Sequence, residues 1–463
     1  MYAMKLVGAD RDAALHASFT QQERLATGRN VHLQNNVLTF GCLVEGPLDP
    51  GRLRQAYLAL RQRHESLRLV FPKDPGATGG TAALRAPCDT GFHVEHATAD
   101  DPDDGLRQAR ALVAEAATVP FDLAAGPLVR LLCVRITADL HLVGCVADHI
   151  VVDGDSCTLM AEDLFALYAA ETPEAAQLPP VQVQFPDFAH SERLHLQGRT
   201  LDRLLTYWRR KLDGVGAIPP SHLRDPDTDD RHRPAPARGL LVRRATIQPP
   251  STLRLREGVR RQRATLTAVF GAALKDVVRR RRLALGMTAE QAGDVAVMGS
   301  IGNRHRPEVR RSVGYFATPC VLRTDLTDAP PFTDLVRRET GTLLGTLRHQ
   351  ELPHALMTRE LDPEHYGVRH RGDPGAVPGY VNFDVSEAGA AWSFTDRALR
   401  VTMTRIPRDE VPRGGVRLLV RDEGPRILVE LRTDASRFGP RWAEEFLTDF
   451  MALVGTFTDR AVR

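Results

Sequence analysis

One histidine stands where a side chain could accept a proton from a substrate. His149 follows the Val- and Leu-rich run His141–Ala147 and Asp148, and Asp153 and Gly154 come shortly after it. This pattern predicts a buried strand that ends beside His149, and such a strand fixes the backbone while the terminal side chain reaches a cleft. A histidine with its ordinary pKa of about 6.5 can act as a base at neutral pH. Position alone, however, favours a structural, hydrogen-bonded histidine.

The residues next to His149 are expected to support the site rather than to react. Asp153 could hold the loop by pairing with an arginine, and Gly154 permits backbone geometry that other residues avoid. Successive residues of a strand face opposite ways, so we expect Asp148 to point away from the cleft that His149 faces. A buried carboxylate needs a cation or several donors. We therefore expect Asp148 to pair with an arginine or to lie near solvent.

The elements that must position His149 are a hairpin and a helix. The runs Leu128–Ile136 and His141–Ala147 flank the turn Thr137–Leu140 and predict a β-hairpin. After Gly154, we expect Asp155 or Ser156 to cap a helix.

Helices and strands alternate through the rest of the chain, which predicts an α/β (α+β) protein. The Pro-rich stretch Glu171–Pro180 indicates a connection between an N-terminal lobe, 1–175, and a C-terminal lobe, 176–463. The apolar spacing predicts helices over Pro50–Arg63 (with Asp49 as cap), Leu106–Ala117, Leu201–Leu212, Ser251–Arg260, Ala264–Arg280 and Arg441–Thr456. It predicts strands over Val295–Ile301, Tyr315–Leu322, Tyr380–Val385, Gly415–Val420 and Arg426–Leu431. Loops are expected over Lys73–Thr81, Thr98–Gly105, Arg224–Gly239 and Arg371–Gly379.

Composition narrows the function classes. The chain has 463 residues, a net charge of +3 and a pI of about 8.6, which is too mild a charge to favour nucleic acid. The six cysteines are scattered and include no C-x-x-C pair. We therefore expect them to be core residues of a protein in the reducing cytoplasm, and we expect no metal site. The sequence shows neither a signal-type apolar region nor an apolar stretch near the ~18 residues of a membrane span, so we expect no membrane partner.

Several segments together resemble one enzyme family. Asp148–Gly154 resembles H-H-x-x-x-D-G, the core motif of the condensation-domain superfamily, which includes condensation, epimerisation and cyclisation domains of nonribosomal peptide synthetases. Further segments resemble the motifs of that family in the same order: Ser18–Leu25, Arg63–Phe71, Phe121–Leu128, Phe185–Ala189, Gly302–Arg304, Val313–Phe316 and His349–Pro353.

The resemblance implies a fold and a site. The fold would be two chloramphenicol-acetyltransferase-like lobes in a V-shaped pseudodimer with a central tunnel. His149, at the second His of the motif, would face the tunnel and take or position the proton of an attacking amine or hydroxyl. Asp153 would be structural, with Arg323 as the preferred arginine partner and Arg304 as the second choice. Candidate tunnel residues are Ser18, Tyr315, Thr318, Phe383 and Asp384.

The chain also departs from the family pattern. Asp148 replaces the first His of the motif, and Ser191 stands where Trp is common. Phe316–Pro319 replaces F-V-N-T, and Phe383-Asp384 replaces F-N. These departures imply unusual substrates or altered chemistry. We find no carrier-protein motif, so the resemblance implies a free-standing protein that acts in trans.

Three hypotheses follow from the resemblance. The first is an acyltransferase of natural-product biosynthesis that joins a carrier-bound acyl or aminoacyl thioester to an amine or hydroxyl as an amide or ester. Its partners would be an acyl or peptidyl carrier protein with a phosphopantetheine arm and a small-molecule or carrier-bound acceptor, and the chain itself would bind no cofactor. A catalytically silent domain that recruits a partner enzyme or carrier protein is the second, and Asp148 favours it. The third is a cyclisation or epimerisation enzyme of the same fold.

Overall fold

The computed structural model describes residues 4–27, 36–72, 80–99, 101–227, 239–363, 381–387, 393–396, 398–406 and 415–460. The chain divides into two compact units. The first unit comprises Met1–Asp202, Gly302–Thr318 and Ala391–Arg408. The second unit comprises Arg203–Ile301, Pro319–Ala390 and Asp409–Arg463.

The described elements mix helices and strands in both units. In chain order the α-helices are α1 (Phe19–Thr27), α2 (Pro50–Arg63), α3 (Pro102–Ala116), α4 (Gly154–Ala169), α5 (Phe185–His195), α6 (Gly198–Leu212), α7 (Pro249–Arg261), α8 (Leu266–Ala284), α9 (Ala289–Gly293), α10 (Phe332–Arg348), α11 (His354–Leu361) and α12 (Pro440–Arg460). The strands are β1 (Leu15–His16), β2 (Val37–Glu45), β3 (Leu69–Val70), β4 (Thr81–Leu84), β5 (Phe92–His96), β6 (Val129–Arg135), β7 (Leu140–Asp148), β8 (Leu240–Ile247), β9 (Asp294–Ile301), β10 (Thr318–Asp325), β11 (Val381–Glu387), β12 (Ser393–Asp396), β13 (Leu399–Thr404), β14 (Val416–Asp422) and β15 (Ile427–Asp434). Short 3₁₀ helices cover Glu65–Arg68, Glu174–Ala176 and Pro307–Val309.

The first unit is built on a sheet with the strand order β12-β13-β2-β7-β6-β5. The predicted hairpin is confirmed, because β6 and β7 pair antiparallel from Val129–Ala147 to Arg135–His141. Helices α2 and α4 pack against each other, and α3 packs against β7. A Cβ on Gly144 of β7 would come within 2.3 Å of the Val113 side chain, so the glycine lets α3 approach the sheet closely.

Segments far apart in sequence complete the first unit, which therefore differs from the expected boundary at residue 175. Helix α5 packs against β1, and its Asp187 accepts a hydrogen bond from the Ala9 backbone. Strand β13 pairs with β2 along five residue pairs from Arg400–Glu45 to Thr404–Gly41. Residues 302–318 bond to the start of α4, as described below. These long-range pairings place 176–202 and both returning segments with the first unit.

The second unit contains the sheet β10-β9-β11-β14-β15-β8. Strand β11 is parallel to β9 and β14, and β15 is antiparallel to β14 and β8. Helix α8 lies in the core of this unit, where Phe270 stacks near Phe450 of α12. Among the helices of the described ranges, none combines the length and apolar character needed to cross a membrane.

Capping residues explain where the helices begin. Asp49 accepts from the backbone N–H groups of Gly51 and Arg52, and Pro50 is the first residue of α2, as predicted. Helix α3 begins at Pro102, four residues before the predicted start, because Asp101 caps it; the expected loop 98–105 is therefore partly helical. The cap of α4 is Asp153 rather than Asp155 or Ser156.

Other predicted elements are found near their expected positions: α6, α7, α8, α12, β9, β14 and β15. The expected loop 371–379 and Tyr380 lie outside the described residues, as do most of the loops 73–81 and 224–239.

Candidate active site

His149 directly follows β7, where its backbone and ring are both fixed. Its backbone N–H donates to the Asn36 carbonyl at 2.7 Å, and its ring Nδ1 lies 2.8 Å from the Val152 carbonyl oxygen. A carbonyl oxygen can only accept, so Nδ1 carries the proton in the neutral ring and Nε2 keeps the lone pair. This tautomer is the one in which Nε2 can serve as a base.

The surroundings of His149 favour the neutral ring. Burial lowers the pKa of His149 below its usual 6.5, although the Val152 carbonyl and the Asp153 and Asp148 carboxylates oppose that shift. The Tyr315 ring lies against the imidazole, with centroids 4.3 Å apart and an angle of 41° between the planes. No hydrogen bond joins Nε2 to any residue in the described part of the chain. At neutral pH His149 can therefore accept a proton from an amine or a hydroxyl.

Asp153 joins the start of α4 to the returning segment 302–318. Its side chain is 1% exposed and accepts five hydrogen bonds. Oδ1 accepts from the Ser156 backbone (2.9 Å), the Ser156 hydroxyl (2.7 Å) and Arg304 Nη2 (2.8 Å). Oδ2 accepts from the backbone N–H groups of Phe316 (3.0 Å) and Ala317 (3.2 Å). A fully bonded buried carboxylate of this kind is a structural clamp.

Arg304, not the preferred Arg323, is the partner of Asp153. Arg304 also donates to the Ser156 hydroxyl and to the carbonyls of Val309 and Ser312. Its guanidinium lies 4.2 Å from the centroid of the Phe316 ring.

Arg323 lies on β10 and pairs instead with Asp294 of β9 at 2.8 Å. It also donates to the carbonyl oxygens of Lys211 and Asp213. Its donors are thus engaged within the second unit, so the preference for Arg323 was wrong.

Asp148 is buried and paired, as expected. Arg24 Nη2 donates to Asp148 Oδ2 at 2.8 Å, and the Ile150 backbone N–H donates to Oδ1 at 2.9 Å. Burial raises the pKa of Asp148, and the nearby Arg24 charge opposes that shift. Arg24 belongs to α1, so this ion pair ties α1 to the end of β7.

Gln21 of α1 makes a second contact beside His149, which the sequence patterns did not predict. Its Nε2 donates to the Ile150 carbonyl at 2.8 Å, one residue after His149. Both Gln21 and Arg24 lie in the family-like segment Ser18–Leu25, so that motif was the available signal.

The structure corrects the roles of several predicted tunnel residues. Ser18 is 1% exposed and caps α1 through reciprocal hydrogen bonds with Gln21, so its side chain supports a helix. Thr318 is buried at the start of β10, and Phe383 packs in the core of the second unit. Asp384 is partly exposed and pairs with Arg417 at 3.0 Å. Among the five candidates, the structure brings Tyr315 against His149.

Gly154 also differs from expectation. It is the first residue of α4, its φ lies outside the positive region, and an added Cβ would meet no atom within 4 Å. Glycine is therefore not needed there for backbone geometry. Among the described residues no group of three or more His, Cys, Asp or Glu side chains could hold a metal ion.

Comparisons with known proteins agree with this geometry. The family model described as "Condensation domain" matches residues 15–371. The chain is 33% identical over 370 residues to phosphinothricin tripeptide synthetase PhsC of Streptomyces viridochromogenes; the match covers 77% of this chain and 32% of PhsC. The chain thus spans about a third of the length of this curated relative.

Two solved structures share the fold at lower identity. The X-domain in its complex with OxyB from teicoplanin biosynthesis superposes with a TM-score of 0.78 at 21% identity, covering 100% of this chain and 96% of that one. SgcC5 from Streptomyces globisporus superposes with a TM-score of 0.73 at 20% identity, covering 96% of this chain and 99% of that one. The expected mixed α/β class and the relationship of the fold to condensation domains are confirmed.

Proposed function

The chain belongs to the condensation-domain family, and on that premise we propose that it is an acyltransferase that acts on a carrier-bound thioester. It moves an acyl or aminoacyl group from the phosphopantetheine arm of a carrier protein to an amine or hydroxyl acceptor. The product is an amide or an ester. The observation that carries the proposal is His149, with Nδ1 bonded to the Val152 carbonyl and Nε2 left as the basic nitrogen.

The proposed reaction is a direct substitution at the thioester carbonyl. The acceptor nitrogen or oxygen attacks the carbonyl carbon, a C–N or C–O bond forms, and the C–S bond breaks. The proton of the acceptor passes to His149 Nε2 and then to the departing sulfur, which leaves as the free thiol of the arm. General base catalysis of this kind contributes about 10²–10⁴-fold to the rate.

The partners follow from the family and from the relatives. Peptide synthetases such as PhsC support a carrier protein as donor and a natural-product pathway as the setting. The acceptor is a small molecule or a second carrier-bound group. The chain itself is proposed to bind no cofactor, because the reactive thioester arrives on the carrier arm.

The experiment uses the 463-residue chain with acyl-loaded carrier proteins and a panel of amines and alcohols. Intact-mass spectrometry follows the loss of the acyl group from the carrier, and product mass identifies amide or ester. His149→Ala should reduce transfer by about 10²–10⁴-fold, whereas His93→Ala, on the exposed face of β5, should leave it unchanged. Transfer by His149→Ala at the wild-type rate would exclude the proposed role of His149.

A second candidate is a catalytically silent domain that recruits a partner protein. The buried Arg24–Asp148 pair favours it, because it occupies the position of the first motif His. The X-domain of teicoplanin biosynthesis, which shares this fold, forms a complex with OxyB. Retention of a partner in pull-down by both wild type and His149→Ala, without transfer to any acceptor, would favour recruitment. Loss of water from the donor without any acceptor would indicate cyclisation, and inverted stereochemistry at constant mass would indicate epimerisation.

A further inference from the structure

Tyr315 is the aromatic neighbour of His149. Its ring lies 4.3 Å from the imidazole, centroid to centroid, at 41°. The side chain is half-buried and lies in the returning segment 302–318, not in the strand that delivers His149. The contact therefore joins two parts of the first unit that are 166 residues apart in sequence.

The backbone on both sides of Tyr315 is fixed to the start of α4. Gly314 N–H donates to the Ser156 hydroxyl at 3.1 Å, and that hydroxyl lies 3.0 Å from the Gly314 carbonyl. Phe316 and Ala317 donate to Asp153 Oδ2. The backbone that carries the Tyr315 ring is therefore held on both sides, next to the strand end that carries His149.

Packing against phenylalanine rings also fixes the position of this backbone. A Cβ on Gly314 would come within 2.1 Å of the Phe185 ring, so the backbone lies directly on that side chain. The Phe316 ring, 1% exposed, is edge-on to Phe185 at 4.9 Å and lies 4.8 Å from Phe188. Tyr315 is thus the partly exposed residue between two anchored neighbours.

We propose that Tyr315 is a positioning residue that holds the His149 ring so that Nε2 faces the acceptor, and that the Asp153–Arg304 pair acts on His149 through Tyr315. The catalytic meaning of this inference rests on the proposed function; the positioning itself does not. The tyrosine ring lies against the imidazole at a 41° tilt, while the Val152 carbonyl fixes Nδ1. Together these contacts define both the rotation and the tautomer of the base.

The ring of Tyr315 also shields His149 from water. The charged groups that raise the pKa of His149 are Asp153, paired with Arg304, and Asp148, paired with Arg24. Asp155 follows at the start of α4, 3.5 Å from Arg304. These groups remain when Tyr315 is replaced. Removal of the ring lets water reach the imidazole, so the pKa of His149 should rise toward its ordinary value.

The test is a ring titration of His149 by NMR on protein with ¹³C-labelled histidine. The His149 signal is assigned by its loss in His149→Gln. Tyr315→Phe should leave the pKa of His149 at the wild-type value, and Tyr315→Leu should raise it. Tyr207→Leu is the matched control, because Tyr207 stacks on His349 in the second unit with centroids 3.5 Å apart. An unchanged His149 titration in Tyr315→Leu, or an equal shift in Tyr315→Phe, overturns the proposal.

Acyl-transfer kinetics give the second readout. Tyr315→Leu should lower kcat on the order of tenfold to a hundredfold and move the acidic limb of the pH profile to higher pH, while Tyr315→Phe keeps both. A Tyr315→Leu variant with wild-type kcat and pH profile overturns the positioning role. The NMR titration does not need a substrate. Absence of transfer by the wild type would therefore count against the proposed function, while the titration of His149 in the Tyr315 variants would still test the positioning role.

Discussion

Replacement of Asp153 by asparagine should destabilise the first unit strongly. Every hydrogen-bond partner of the Asp153 carboxylate is a donor. Oδ1 accepts from Ser156 and Arg304, and Oδ2 accepts from the backbone N–H groups of Phe316 and Ala317. The amide of Asp153→Asn has nearly the same shape, but its NH₂ group must face one of these two sets of donors. Either orientation opposes donor to donor and removes the negative charge.

The magnitude follows from burial. The Arg304 side chain is 9% exposed and would lose its buried carboxylate. Asp155 lies 3.5 Å away but is 65% exposed, so water screens its compensation. Breaking a buried ion pair by removing one partner costs about 3–5 kcal/mol. The hydrogen bonds of Asp153 belong to the same network and are not added separately. We expect the free energy of unfolding to fall by about 3–5 kcal/mol.

The assay is urea denaturation followed by circular dichroism. The control is Asp334→Asn, because Asp334 forms an exposed pair with Arg337, with side chains 43% and 77% exposed. That control should change the free energy of unfolding by less than about 1 kcal/mol. A fall of less than about 1 kcal/mol for Asp153→Asn, or a fall no larger than that of the control, would refute the clamp.

Three further stability predictions follow. Burial raises the pKa of Glu192 to about 7 from its ordinary 4.5. The stabilisation that comes from its protonated form is therefore fully present below pH 4.5 and is lost as pH rises through about 7. Relative to wild type, Glu192→Gln should gain on the order of 3 kcal/mol between pH 4 and pH 8 in urea titrations; an equal difference at both pH values would contradict this. Lys275 and Glu339 form a fully buried ion pair at 2.6 Å, so Lys275→Met should lower the free energy of unfolding by about 3–5 kcal/mol. Addition of Glu339→Gln to that variant should recover part of the loss. A double-mutant cycle that shows no coupling between the two residues would contradict this prediction. Gly154→Ala should raise stability by about 0.4–1 kcal/mol in thermal unfolding, and a loss above about 1 kcal/mol would show that glycine is required.

Local patterns predicted much of the framework around His149. The hairpin β6–β7 followed from two apolar runs and a short turn, and α2 followed from Asp49, Pro50 and helical spacing. Such signals lie within a few residues of one another, so one sequence is enough to read them. The ordered family-like segments added the expected fold.

Partners that lie far apart in the sequence could not be predicted from such local patterns. Arg323 and Arg304 were both candidate partners of Asp153, and Asp294 decides between them by engaging Arg323 on the neighbouring strand. Strand β2 was not predicted, although it lies between β7 and β13, because its partners come from distant parts of the chain.

Tyr315 was expected inside a strand, but β10 begins at Thr318. The N–H groups of Phe316 and Ala317 bond to Asp153, so a sheet ladder cannot use them. The position of Phe383 was readable from the sequence, because Val381, Phe383 and Val385 alternate along β11 and pack on one core.

The most direct measurement compares single-turnover acyl transfer by wild type and His149→Ala between pH 5 and pH 9, with intact mass of the carrier protein as the readout. We predict wild-type transfer well above the uncatalysed rate, with an acidic limb below pH ~6.5, where protonation removes the base. His149→Ala should be slower by about 10²–10⁴-fold above pH ~6.5 and should lack the acidic limb of the wild type. Equal transfer by the two proteins, or a wild-type acidic limb centred above pH 6.5, would contradict the assignment of His149 as the base, because burial lowers the pKa of His149.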